Sequence, residues 1–398
     1  MKSSKNRFSF FSVFFLLFVM ELVLCGSGQI IHVVGGLTLR MLNYLLALCI
    51  TSFYICRKHM NKDTGKILML FVFTTCIGIS LCLISDNTVN LFDDIKQLSF
   101  FLMLPFMSYM VKNIDMVNAV SKTIRYSVLL MAIIYLVYII LIKFVGVIDF
   151  RTFYILMEDE GDFLFRGNKG EMFYKGFLYL AIGLLFWIKE RKYFYSFLIL
   201  LAIYYTMTRG FYVITILCLG LLYIACHKVT SGTIFFLLIF SFCVLLVVNY
   251  LGLFDVSENR EDGDALRVLT MQQVFERITP LSLIIGHGFG CGVPVRTIHM
   301  ENAFLEIFHK QGLIGLFLWS YLLYKIVVFY KHVPFIYKSI ASVYMIGTVG
   351  IYVQSLFNPY LTNPIGMSFV LLSFVVCNKL SNINEDSLCT CSLSAKIV

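Results

Sequence analysis

A histidine and a glutamate lie two positions apart in a polar segment, at His299 and Glu301. A histidine near a carboxylate can act as a general base, because it titrates near neutral pH and accepts the proton of an attacking hydroxyl. In an extended segment the two side chains would point the same way, whereas on a helix they would lie about 200° apart. Asn302 is a suitable N-cap for a following helix and would leave both residues before it. The alternative is two ordinary polar residues at a membrane interface.

Two arginines are candidates for binding an anionic group. Arg209 falls in a very short connection between two apolar runs. Arg267 falls in a predicted helix over 264–278, where Asp264 as N-cap would place it in the first turn, beside free amides that favour anions. A guanidinium binds phosphate oxygens in pairs with fixed geometry. The ordinary alternatives are an arginine at headgroup level and an arginine on a solvated helix face.

A glycine-rich segment, Gly286-His287-Gly288-Phe289-Gly290, invites comparison with a nucleotide-binding loop. Such a loop requires a preceding strand and a helix that opens directly after it, and neither is predicted here. We therefore expect a closely packed turn, with a loop histidine at its centre.

The composition places these residues in a membrane protein. Of 398 residues, 59% are hydrophobic and 14% are charged, whereas soluble domains carry about 25% charged residues. This excludes an ordinary cytosolic enzyme, a disordered protein and a nucleic-acid binder, despite a net charge of +9. Most of the 12 cysteines lie in apolar runs, where cysteine behaves as a small hydrophobe. The pattern therefore predicts neither a disulfide framework nor a zinc site.

Apolar runs recur along the whole chain and predict one all-α polytopic membrane domain over residues 1–398. A membrane helix needs about 20 apolar residues, and the first run is taken as a span because no signal-peptide cleavage site follows it. The predicted spans, about twelve in number, are 8–25, 37–56, 67–84, 98–111, 126–147, 172–188, 193–207, 211–226, 232–250, 312–330, 339–356 and 365–378.

Segments rich in Lys and Arg alternate along the chain with segments that are poor in them. More than half of the 32 Lys and Arg residues fall on one side of the predicted spans, in the segments 1–7, 57–66, 112–125, 189–192, 227–231, 325–338 and 379–398. Lys96 is the only one in the short loops of the other side, 26–36, 85–97 and 357–364. Basic loops stay in the cytoplasm. We therefore expect both termini inside and two long loops outside, 148–171 and 251–311.

The order of these motifs resembles that of the Wzy-type O-antigen and exopolysaccharide polymerases, which share a superfamily with the O-antigen ligases. The segment at Arg209 resembles the family's (S/T)RG after a span. Arg267 and the glycine-rich segment resemble its arginine, amphipathic helix and GxGfG. The segment 299–316 resembles its H-x-E/N-x-fL…GliGl at the start of a span. Arg166 stands where members have an arginine before a span, but the asparagine-rich continuation is absent.

The resemblance implies a GT-C-like fold in the cell inner membrane and an inverting glycosyltransferase that needs no metal and no cofactor. It implies polymerisation of oligosaccharide repeats on undecaprenyl diphosphate at the periplasmic face, with Arg209, Arg267 and more weakly Arg166 at the diphosphate. His299 or Glu301 would activate or orient the acceptor hydroxyl. The implied partners are the lipid-linked donor and acceptor and membrane lipids. A chain-length regulator protein is a further candidate, and no nucleic acid is expected.

Two other functions fit parts of the pattern. An O-antigen ligase would share the fold and the arginines but pass the glycan to lipid A-core. A polysaccharide flippase or other transporter would bury ionisable groups in the middle of its membrane helices. Few charged residues fall inside the predicted spans, which argues against a transporter.

Overall fold

The computed structural model describes residues 9–383 except 29–30, 35, 86–87, 147–150, 152–154, 156–162, 167–170 and 227–257. Most of this part is helical. Its helices are α1 (Phe10–Leu24), α2 (Leu39–Ile55), α3 (Lys62–Ile84), α4 (Leu91–Leu98), α5 (Met103–Met110), α6 (Ile114–Ile139), α7 (Leu178–Lys189), α8 (Tyr193–Tyr205), α9 (Arg209–Cys226), α10 (Glu258–Glu276), α11 (Pro280–Ile285), α12 (Ala303–His332), α13 (Phe335–Gln354) and α14 (Pro364–Ser381).

Two short antiparallel hairpins interrupt the helices. Strands β1 (His32–Val34) and β2 (Leu37–Thr38) pair between α1 and α2. Strands β3 (Phe163–Arg166) and β4 (Glu171–Tyr174) pair before α7. The first of the two predicted long loops, 148–171, therefore contains a strand and the first residue of its partner.

Five of the described helices are long and apolar enough to cross a membrane, namely Lys62–Ile84, Ile114–Val145, Ala303–His332, Phe335–Gln354 and Pro364–Ser381. Four shorter apolar helices accompany them, Phe10–Leu24, Leu39–Ile55, Tyr193–Tyr205 and Arg209–Ala225. The architecture is that of an all-α, multi-pass membrane protein, as the composition predicts. The number of spans stays a prediction, since the predicted span 232–250 lies outside the described residues.

The other predicted spans overlap helices, but 172–188 begins in β4 and a 3₁₀ turn before α7, and 98–111 is not a single helix. Residues 98–111 are divided into the end of α4, a 3₁₀ turn over Ser99–Leu102 and the short helix α5. Pro105 lies in the first turn of α5. Proline has no amide hydrogen to donate to the preceding turn, so it is tolerated at a helix start and disfavours a continuous helix through it.

The core of the bundle surrounds α14, whose residues from Ile365 to Asn378 are all buried. It packs against α5, α12 and α13. Buried hydroxyls find partners inside the bundle, as where the Tyr179 hydroxyl lies 2.7 Å from Ser368 Oγ. Such pairs are required in an apolar environment, because an unpaired polar group there is costly. The bundle is thus fixed by apolar packing and a few internal hydrogen bonds.

Single-cysteine variants test the predicted orientation. Cys291 lies between α11 and α12, and Cys56 is the C-cap that follows α2. In otherwise cysteine-free protein, a membrane-impermeant maleimide should label Cys291 in spheroplasts and Cys56 only after permeabilisation. Burial raises the pKa of the Cys291 thiol. Its thiolate is therefore scarce at neutral pH, and labelling should speed up as pH rises. Labelling of Cys56 in sealed spheroplasts, with Cys291 protected, would reverse the topology.

Candidate functional site

His299 and Glu301 lie in a non-helical segment that leads into α12. Asn302 caps α12 as predicted, since its side chain accepts hydrogen bonds from the backbone N–H groups of Phe304 and Leu305, at 3.0 and 3.1 Å. The segment is anchored by Met300, which is 1% exposed. Because the backbone is not helical here, the directions of the His299 and Glu301 side chains are set by their separate contacts.

The carboxylate of Glu301 is held by two arginines. Arg267 Nε donates to Glu301 Oε2 at 2.5 Å, and Arg296 donates to Oε1 at 2.6 Å. Half of the Arg267 side chain is exposed. Both carboxylate oxygens of Glu301 are therefore occupied by guanidinium donors. In the structure Glu301 is therefore suited to orienting Arg267.

The predicted start of the helix that carries Arg267 is wrong. Helix α10 begins at Glu258, so Asp264 lies inside it and is not its N-cap. The residues before Asp264 include Glu and Arg, which favour helix, and they extend α10 towards the N-terminus. Arg267 is consequently on the exposed middle of a helix, away from the free amides of its first turn.

His299 contacts a different set of residues. Its Nδ1 lies 3.1 Å from Glu306 Oε1, and its Nε2 lies 3.2 Å from Gln97 Nε2. An ionised carboxylate only accepts hydrogen bonds, so Nδ1 carries the proton and donates to Glu306. In the neutral ring Nε2 is then the acceptor and receives the amide N–H of Gln97. No hydrogen bond joins His299 to Glu301 in the described part of the chain.

Behind His299 lies a buried cluster of charges. Lys310 Nζ donates to Asp94 Oδ1 at 2.7 Å, to Glu306 Oε1 at 2.6 Å and to the Ile298 carbonyl at 2.7 Å. The Asp94, Glu306 and Lys310 side chains are only 3%, 7% and 4% exposed. His299, at 34% exposure, connects this cluster to the solvent-accessible side. We call Asp94, His299, Glu306 and Lys310 the buried quartet.

The ligand atoms of Asp94, His299 and Glu306 lie within 4.8 Å of one another, close enough to share a cation. The ammonium of Lys310 is already within hydrogen-bonding distance of both carboxylates. Lys310 therefore occupies the place where a metal ion would have to bind these two groups, and the cluster is complete as an ion network of the protein itself.

The glycine-rich segment forms the closely packed turn that the sequence predicts, and it supports the quartet. Helix α12 is broken at Gly312, whose φ of 62° and ψ of −157° suit glycine alone. Backbone N–H groups of the turn donate to the His309 and Lys310 carbonyls that precede this break. The N–H of Gly290 donates to Asp94 Oδ2 at 2.8 Å. The turn thus fixes both the lysine and one of its carboxylates.

His287 in the same turn has no sign of a catalytic role. Burial and the neighbouring Arg277 lower the pKa of His287, so the ring stays neutral at physiological pH and does not bind anions electrostatically. Its ring stacks at a tilt against His309, 4.7 Å between centroids.

A cavity of about 770 Å³ lies beside the quartet. It is formed where α1 ends and α2, α4 and α14 contribute residues, so it lies at one end of the bundle. His299 and Gln97 line this cavity and also a small cavity of about 20 Å³ bounded by the quartet. The other ionisable lining residues are His32, Arg40, Tyr44, Asp93, Lys96 and Lys175; Arg40 is paired with Glu21 at 3.0 Å, so Lys96 and Lys175 supply the remaining fixed positive charge. The site suits a polar ligand with negative charge.

The other predicted arginines lie apart from this cavity's lining. Arg209 begins α9, where Gly210 lies so close to Gln354 that an added Cβ would be 2.7 Å from its side-chain nitrogen. The neighbouring Ser355 carbonyl accepts the N–H of Ala303 at 2.9 Å, so the starts of α9 and α12 meet at the end of α13. Arg166 ends β3 and pairs in register with Glu171. The structure therefore joins Arg267 with Glu301, and places His299 separately.

Sequence reasoning missed Asp94, Gln97, Glu306 and Lys310. Lys310 and its neighbour His309 come just before the predicted span 312–330, a position typical of interfacial residues, but both are buried, at 3% and 2% exposure. The spacing of Glu306 and Lys310, one helical turn apart in an apolar helix, was a readable signal of a buried ion pair. The sequence gives no comparable indication that Asp94 pairs with Lys310, because the two residues are more than 200 positions apart.

No family model matches the chain. The chain is similar to the O-antigen polymerase of Shigella flexneri, with 25% identity over 366 residues that cover 90% of this chain and 92% of the relative. The similarity extends over nearly the whole length of both proteins. It confirms the resemblance to the Wzy-type polymerase family that the motifs indicate.

Gly312→Ala tests whether the helix break holds the site. An alanine there would take a backbone conformation that costs about 1–3 kcal/mol, and its Cβ would lie 2.4 Å from the Ile284 carbonyl oxygen. We expect a clearly lower thermal unfolding temperature in detergent micelles. Gly220→Ala in α9 is the matched control, because nothing lies within 4 Å of its added Cβ. It should leave the unfolding temperature equal or higher. Equal effects of the two changes would remove the structural role of the break.

Proposed function

We propose that the chain is a glycosyltransferase that polymerises oligosaccharide repeats carried on undecaprenyl diphosphate. The growing glycan would be transferred from its lipid carrier to a hydroxyl of the next lipid-linked repeat, with inversion at the anomeric carbon and without a metal ion. One observation carries the proposal. His299 lines a cavity with several basic residues, with its Nδ1 hydrogen-bonded to Glu306 and its Nε2 to Gln97, a neutral amide that also lines the cavity, in a chain that aligns with an O-antigen polymerase over nearly its whole length.

We place this reaction at the periplasmic face of the cell inner membrane, in a bundle of about twelve spans with both termini in the cytoplasm. The long loops 148–171 and 251–311 would then be periplasmic. The alternation of basic residues supports this orientation. A second cavity at the opposite end of the bundle also supports it, since its basic lining residues, Lys58, His59, Lys112 and Lys379, fall in predicted cytoplasmic segments.

In the proposed reaction the acceptor hydroxyl replaces the Gln97 amide at His299 Nε2, and Nε2 takes its proton. The oxygen attacks the anomeric carbon from the face opposite the diphosphate, and the bond from that carbon to the diphosphate oxygen breaks. The leaving diphosphate keeps the electron pair. Arg209 and Arg267, with a weaker contribution from Arg166, would stabilise its growing charge, as fixed guanidinium groups do. Glu301 would hold Arg267 in position.

The donor and acceptor glycolipids and the surrounding membrane lipids are the proposed partners, with a chain-length regulator protein as a further candidate.

An O-antigen ligase would use the same chemistry on a lipid A-core acceptor. The two functions differ in one product: only a polymerase lengthens lipid-linked single repeats. The decisive experiment is reconstitution of the purified protein with lipid-linked repeat extracted from a strain that lacks the gene. A glycan ladder supports the proposal, and unchanged single repeats contradict it.

His299→Gln should abolish most turnover while leaving donor binding intact. A positioned general base contributes about 10²–10⁴ in rate, and glutamine keeps a hydrogen-bonding side chain without a basic nitrogen. Glu301→Gln should cause a smaller loss, since that carboxylate is already paired with two arginines. Rates of ladder formation and binding of the lipid-linked repeat would be measured on both variants. Full ladders from the His299→Ala, Glu301→Ala double variant would remove the catalytic assignment altogether.

Arg209→Lys and Arg267→Lys should each reduce polymerisation about tenfold or more, because a charge-assisted hydrogen bond contributes about 1.5–3 kcal/mol and lysine loses the paired geometry. Arg277→Lys is the control. Arg277 follows α10 and donates to the Gly292 carbonyl, so it should matter less. Ladder formation at matched protein levels gives the comparison. Equal losses in all three variants would indicate damage to folding instead of lost diphosphate binding.

A further inference from the structure

The buried quartet contains one more carboxylate than it needs to neutralise its lysine. Asp94 and Glu306 both accept hydrogen bonds from Lys310, and Glu306 also accepts one from His299. With both carboxylates ionised and the imidazole neutral, the quartet carries a net charge of −1. The ligand atoms of the two carboxylates lie within 4.8 Å of each other. At this separation both could not stay ionised in a buried site without a cation between them.

We propose that Lys310 is a positioning residue for catalysis: it keeps both carboxylates ionised, so that His299 holds its proton on Nδ1 and keeps Nε2 as the nitrogen that accepts the proton of the acceptor hydroxyl in place of the Gln97 amide. This inference rests on the proposed function. Asp94 balances the charge of Lys310 and is itself held by the N–H of Gly290. Glu306 is thereby left as a charged acceptor for the His299 Nδ1 proton.

The proton balance follows from this arrangement. When the acceptor hydroxyl loses its proton to Nε2, His299 becomes an imidazolium and the quartet becomes neutral overall. The Nδ1 atom of this imidazolium lies 3.1 Å from Glu306 Oε1 and 3.6 Å from Asp94 Oδ1. The attacking oxygen forms its bond to the anomeric carbon, and the diphosphate leaves with the electron pair. Afterwards the imidazolium releases its proton to water in the cavity, and the quartet returns to −1.

Other charges also face His299 and contribute to its protonation equilibrium. The residues that line its cavity include one acidic and several basic groups, namely His32, Arg40, Asp93, Lys96 and Lys175. All of these stay unchanged when the quartet is altered. A difference between quartet variants therefore reports on the quartet itself.

A charge-rescue experiment tests the inference. Lys310→Met removes the buried cation with similar side-chain length, so the remaining cluster takes up a proton to replace it. His299 becomes an imidazolium or Glu306 becomes neutral, and either change removes the oriented base. We expect a loss of about tenfold or more at neutral pH, within the range of a general-base contribution. The acid limb of the rate profile should move to higher pH.

The double variant Lys310→Met, Asp94→Asn restores the net charge of −1. Asparagine keeps an oxygen for the Gly290 N–H, so the rescued variant should recover most of the turnover and the original acid limb. Asp94→Asn alone should move the acid limb in the opposite direction, to lower pH, because it removes a negative charge near His299. Polymerisation of the extracted lipid-linked repeat would be followed from pH 5 to 9 with the full-length protein in lipid vesicles.

The possible results distinguish failure of this inference from failure of the proposed function. A Lys310→Met rate and profile like those of the unchanged protein contradict the inference, and so does a double variant no better than the single one. If Lys310→Met does not fold, the profile of Asp94→Asn decides, and an unmoved acid limb there contradicts the inference. Failure of the unchanged protein to lengthen the repeat would overturn the proposed function instead, whatever the variants do.

Discussion

Two carboxylates buried at the end of an apolar bundle require a cation, and Lys310 supplies it. The requirement links distant parts of the chain, since Asp94 comes from α4 whereas Glu306 and Lys310 come from α12. Transfer of such groups from water is strongly unfavourable unless each is paired and hydrogen-bonded. The glycine turn and the break at Gly312 satisfy this condition by supplying backbone donors around the ions. The local fold of the site thus follows from the need to pair and hydrogen-bond these buried charges.

The same ions give His299 its chemical character. A lone histidine at a membrane interface has no fixed tautomer, whereas here Glu306 receives the Nδ1 proton and leaves Nε2 as the acceptor. The excess negative charge of the quartet lies where an imidazolium would form in the proposed proton transfer. Glu301, by contrast, is held by Arg267 and Arg296. In the proposed reaction the two acidic environments on either side of Met300 would serve different steps, one the acceptor hydroxyl and the other the diphosphate.

The sequence predicted the parts of the molecule that depend on local pattern. Apolar runs marked the helices, and Asn302 marked the start of α12, because hydropathy and capping act over a few residues. The predicted start of α10 was wrong, because helix-forming residues before Asp264 extend the helix back to Glu258. The pairing of Lys310 with Asp94 could not be predicted, because it depends on how α4 and α12 pack together. The resemblance to the polymerase family was therefore easier to recognise, from motif order, than the residues that surround His299.

The central claim is that a neutral His299 carries its proton on Nδ1, so that Nε2 is the proton-accepting nitrogen, paired with Gln97 until the acceptor hydroxyl replaces that amide. Nitrogen-15 solid-state NMR of histidine-labelled protein in lipid bilayers measures this directly, with the His299→Gln variant identifying the signals by difference. At a pH where the ring is neutral, the account predicts a protonated Nδ1 and an unprotonated Nε2. In Glu306→Gln the preference for this tautomer should weaken. A proton on Nε2 in the unchanged protein would contradict the account.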